Sequence, residues 1–77
     1  MTGVEKQVLK IVRKRELADE EAIGREMAVS SKYVKEICEC LMKSGHLLKK
    51  PEGYEITFKG ENAISSARIK YTNRSLL

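Results

Sequence analysis

Residues Asp19 to Leu47 read DEEAIGREMAVSSKYVKEICECLMKSGHL, and this stretch decides the fold. Asp19 suits an N-cap, and Glu20 and Glu21 suit the positive end of a helix that starts just after it. Ala22, Ile23 and Met27 give that helix a buried face. Gly24 in its middle is costly in isolation, so its presence predicts a second helix packed closely against it. Met27, Ala28 and Val29 end the helix and turn the chain, and Ser30 caps the next one. In that helix Val34, Ile37, Cys38, Leu41 and Met42 follow the i, i+3, i+4, i+7, i+8 spacing of a core-facing stripe. Gly45 supplies the stop. Lys32, Lys35, Glu36, Glu39 and Lys43 fall on the opposite side, which is polar from end to end.

The flanks extend this pattern. Val4, Val8, Ile11 and Val12 repeat at helical spacing, which predicts a first helix from about Val4 to Arg15 and leaves Leu9 off its stripe. Leu17 and Ala18 form an extended link long enough for one small strand. After Gly45, His46 to Lys50 reads as a strand and Pro51-Glu52-Gly53 as a turn. Tyr54-Glu55-Ile56-Thr57-Phe58 alternates and returns as the second strand. Thr57 can cap a fourth helix whose face is Ala63, Ile64, Ala67 and Tyr71, with Ile69 pointing away. Thr72 to Leu77 reads as a frayed tail. The 77 residues therefore form one α+β, mostly α domain with its core in about residues 4 to 71, without repeats or linkers.

Composition removes several classes of function. No apolar run approaches a membrane span, and the charged segment after Met1 is unlike a signal peptide, so a soluble, cytoplasmic protein is expected. Cys38 and Cys40 lie about 200° apart around a helix and cannot bridge each other. With His46 the only histidine, a zinc site lacks ligands, and Cys38 reads as a small buried apolar residue. No metal or other cofactor is expected. There is no glycine-rich phosphate loop and no nucleophile signature, and the paired carboxylates sit at surface positions, so no catalysis is expected. Nor does the sequence indicate a small-molecule ligand. The net charge of +4 is unevenly spread. The first helix, the third helix with the strand after it, and the tail are basic, whereas residues 19–28 are acidic. Such clustering favours a polyanion partner.

The order helix, short strand, helix, helix, hairpin, helix resembles the winged helix-turn-helix domain of small bacterial and archaeal transcription regulators, MarR-like proteins among them. The residues that carry the resemblance are Asp19, Ile23, Met27, Val29-Ser30, Val34, Ile37, Leu41, Gly45 and Leu47, with Tyr54-Glu55-Ile56-Thr57-Phe58-Lys59-Gly60 as the returning strand and helix start. It covers about residues 4 to 71. The chain departs from the family at the turn, where Ala28 stands in place of the usual glycine.

The resemblance implies binding to double-stranded DNA, with the third helix in the major groove and the hairpin wing on flanking phosphates. Ser31, Lys32, Tyr33, Lys35 and Glu36 occupy the first two turns, where side chains reach base edges. Glu36 or Glu39 can accept from cytosine N4. Lys43, with Lys49 and Lys50 beside the wing tip, would meet phosphates. Leu9 and Ile69, off the stripes of the first and fourth helices, suggest a homodimer that buries them across a two-fold axis, with half-sites about 34–36 Å apart. The alternative is a winged-helix protein–protein interaction module within a larger assembly. Lys32 and Lys35 favour DNA. Glu36, Glu39 and the lack of any arginine in this helix favour a mixed-charge protein partner.

Overall fold

Side-chain caps set where each helix begins. The structure, a computed structural model, describes residues 1–64. Helix α1 spans Gly3–Arg15, α2 Glu20–Met27 and α3 Ser31–Lys43, followed by strands β1 (Leu47–Lys50) and β2 (Gly53–Ile56). A further helix, α4, is described over 58–64. The α1 start is a capping box: the Glu5 N–H donates to Thr2 Oγ1 at 3.1 Å, and the Thr2 N–H donates to Glu5 Oε1 at 3.0 Å. The expected caps of α2 and α3 are present, with Ala22 N–H donating to Asp19 Oδ1 and Tyr33 N–H to Ser30 Oγ. Thr57 Oγ1 accepts from the Gly60 N–H to open α4 and donates to the Gly45 carbonyl at 2.7 Å.

The α2–α3 connection is tight. Ala28 adopts the left-handed conformation itself, at φ 62° and ψ 42°. Gly24 is needed beneath it, because a Cβ there would lie 2.8 Å from the Val29 carbonyl oxygen. The backbone that approaches Gly24 is thus the turn leading into α3, and the approach is closer than helix-on-helix packing would require.

β1 and β2 form an antiparallel hairpin in which Leu47 pairs with Ile56 and Lys50 with Gly53. The link before α2 joins it, as Ala18 and Tyr54 exchange two backbone hydrogen bonds of 2.7 and 3.2 Å. Gly53 belongs to the strand, at φ 152°, and a Cβ on it would strike the Ala18 carbonyl. Phe58 departs from the expected strand. Thr57 caps α4 instead, so Phe58 starts that helix and is 81% exposed.

Val8, Leu9, Ile11, Val12, Ala18, Ile23, Val34, Cys38, Leu41, Leu47 and Tyr54 make one core. Leu9 corrects the expectation that it lies outside: it is 0% exposed. The helix α1 packs against α2, α3 and β2, so its apolar arc is about 160° wide and not a single stripe. Leu9 is held by its own chain and cannot be the α1 half of a two-fold contact. Ile69, Ala67, Tyr71 and the 72–77 tail lie outside the described residues. Three helices with a hairpin wing and a following helix constitute the winged helix-turn-helix layout.

Candidate nucleic-acid interface

Helix α3 has one sealed face and one open face. Val34, Cys38 and Leu41 are buried, while Ser31, Lys32, Tyr33, Lys35, Glu36, Glu39 and Lys43 are all exposed. At about 100° per residue, Lys32, Lys35, Glu36, Glu39 and Lys43 share an arc of about 100°. Tyr33 lies about 60° beyond the Glu36 edge of that arc and is 44% exposed. Lysines and glutamates stand four apart along the arc, a spacing that permits helical ion pairs. Yet neither the Glu36 nor the Glu39 side chain forms a hydrogen bond or ion pair with another described residue.

The two flanks of this face differ. On one side is the wing. Burial, followed by the neighbouring Cys38, Glu20 and Glu39, pushes the Tyr54 phenol up to about 12. Lys49 Nζ lies 4.7 Å from the centroid of the Tyr54 ring. At that distance the ammonium is attracted to the face of the ring. Lys50 Nζ is 3.6 Å from Glu55 Oε1. Strand alternation sends these two lysines to opposite faces of the hairpin. Lys49 shares the face of Tyr54, whereas Lys50 shares that of Leu48 and Glu55.

On the other flank lies a groove of about 300 Å³ lined by Thr2, Val4, Glu5, Tyr33, Glu36, Ile37 and Cys40. The sequence reading missed it, because it needs the N-terminus of α1 beside α3, and local periodicity carries no such information. Cys40 is exposed at its edge, whereas Cys38 is buried. Burial, with Glu20 adding to it and Lys49 opposing, pushes the Cys38 thiol up to about 12, so it remains an uncharged core group.

The basic end of α1 is partly spent within the fold. Lys14 Nζ pairs with Glu26 Oε2, and Arg15 Nε donates to Glu26 Oε1 at 3.1 Å. These contacts hold the Glu26 carboxyl below its ordinary value. Glu20 and Glu21 occupy the first turn of α2, where negative charge opposes a phosphate. Among the described residues no group of three or more His, Cys, Asp or Glu could hold a metal ion. No helix there is long and apolar enough to cross a membrane.

No family model matches the chain, and neither does any curated protein. Its fold is similar to that of a hypothetical protein from Sulfolobus solfataricus known from a crystal structure, with a TM-score of 0.81 and 23% identity. The match covers 86% of this chain and 54% of that one, so the chain spans about half the length of its structural neighbour. At this identity the likeness is one of fold alone.

Proposed function

We propose that this chain binds double-stranded DNA as a transcription regulator, with α3 in the major groove and the β1–β2 wing beside flanking phosphates. One observation carries the reading. The Lys32–Lys43 face of α3 stands open while its opposite face is sealed into the core. A helix held this way can enter a groove without disturbing the fold that presents it. Lys32, Lys35 and Lys43 would supply positive charge along the helix, and Lys49 would supply it from the wing.

A salt titration of binding to random duplex tests the reading. Neutralising about four phosphates gives a slope of about −3.6 in log affinity against log salt, a loss of about 150-fold between about 50 and 200 mM. Lys35→Ala should weaken binding and flatten the slope by about 0.9. An affinity indifferent to salt would refute DNA binding. It would favour the second reading, an interaction module for a protein partner, for which the unpaired Glu36 and Glu39 on the same face already speak.

A further inference from the structure

The groove between the N-terminus of α1 and α3 carries charge of one sign. Val4 and Ile37, both half-buried, form its apolar part, and each helix also supplies a carboxylate, Glu5 and Glu36. No cation lines it. Glu5 Oε1 accepts from the Thr2 N–H, a neutral donor that leaves the charge in place. The Glu36 side chain has no partner among the described residues. The chain that follows Ile64 has the complementary character. Residues 65–77 read SSARIKYTNRSLL and hold Arg68, Lys70 and Arg74 without an acidic residue. In Arg68-Ile69-Lys70 one branched apolar side chain stands between two cations.

We propose that this groove is the seat of the chain's own segment 65–77, with Ile69 against Val4 and Ile37, Arg68 beside Glu36 and Lys70 beside Glu5. Reach permits it. Glu61 lines a second cavity together with Arg13. From Glu5 to Arg13, α1 rises about 12 Å. The chain from Glu61 to Ile69 covers about 12 Å as a helix and about 26–29 Å when extended. The segment can therefore return along α1 to the groove of its own protomer. Apolar contact would supply most of the attraction, since exposed ion pairs contribute little each. The charges would decide which segment is accepted. Ile69 then has a place, although it lies off the stripe of Ala63, Ile64, Ala67 and Tyr71. The inference stands apart from DNA binding and is tested without a duplex.

Ile69→Cys in the full chain tests this, because Cys40 lines the same groove and Cys38 is buried. A glutathione redox buffer supplies the oxidant, and mass spectrometry of tryptic peptides identifies the linked pair. The new thiol should form a disulfide with Cys40 of the same chain, while Cys38 stays reduced. Glu36→Lys on this background should lower the equilibrium constant for ring closure about two- to thirtyfold, because reversing a surface charge turns a weak attraction into a repulsion of similar size. Adding Arg68→Glu should restore it. Circular dichroism melts establish that each variant is folded. Ring closure indifferent to both charge substitutions would reveal only a tethered thiol meeting Cys40 by chance, and would overturn the proposal. So would the absence of any Cys40 disulfide, which leaves the groove to a different occupant. Disulfides that join two chains and grow with protein concentration would overturn it in favour of a second copy.

Discussion

Replacing Gly24 with alanine should destabilise this protein, although alanine is the better helix former. In an open helix the exchange gains about 1 kcal/mol. Here the added Cβ would lie 2.8 Å from the Val29 carbonyl oxygen, with Ser31 N at 3.5 Å and Ser30 C at 3.6 Å. The oxygen has little room to retreat, since the Val29 N–H donates to the Gly24 carbonyl at 2.9 Å and Ser31 already opens α3. Overpacking of this kind costs about 1–3 kcal/mol. Contact with backbone, which cannot change rotamer, places the cost in the upper half of that range. Subtracting the helical gain leaves a net loss of about 1–2 kcal/mol. A domain of this size has about 4–12 kcal/mol in total, so the effect is measurable. Urea unfolding followed by circular dichroism should give a lower midpoint with an unchanged slope. The melting temperature should fall by about 4–16 °C. A midpoint equal to or above that of the unaltered chain would refute the close approach of the turn to α2.

At the same turn, Ala28→Gly should act in the opposite direction. Relief of a left-handed alanine is worth about 1–2 kcal/mol, and the looser unfolded chain takes back about 0.4–1, so a gain between about 0 and about 1.6 kcal/mol is expected in the same urea experiment. A thiol reagent should modify Cys40 in the native protein and reach Cys38 only in denaturant, because Cys38 is buried and its thiol is pushed up to about 12. Peptide mapping after native labelling checks this. Glu26→Gln should lower stability at neutral pH. The Glu26 carboxyl is depressed by Lys14 and then Arg15, so its contribution is present above the ordinary carboxylate value and disappears as pH falls through the depressed one. Unfolding midpoints of the two proteins should therefore converge on acidification.

What the sequence made legible was mostly local. Asp19 and Ser30 announced their helices because a cap needs only the three residues after it. Val34, Cys38 and Leu41 announced the sealed side of α3 because one stripe meets one neighbour. Leu9 escaped because α1 is enclosed by α2, α3 and β2, and a helix covered on several sides has no single stripe. The Thr2–Glu5 capping box starts α1 ahead of its first apolar residue, Val4, and has the three-residue spacing of that motif. Phe58 was drawn into β2 by its strand propensity, which the Thr57 cap overrode. At the candidate interface, the open residues of α3 followed from their spacing. The division of Lys49 and Lys50 between two faces follows from the period of two along β1, whereas the partner each shares a face with depended on the register with β2. The groove beside Tyr33 depended on a contact between distant segments.

The paired backbone bonds between Ala18 and Tyr54 carry a mechanical consequence. They rivet the hairpin to the strap of chain entering α2, so that wing, strap and helix-turn-helix behave as one bracket. The exposed Pro51-Glu52 tip overhangs this bracket. Adjustment to the contour of a target would then be confined to that tip and to side-chain swings. Amide hydrogen exchange should find Tyr54 among the slowest positions of the hairpin and Glu52 among the fastest.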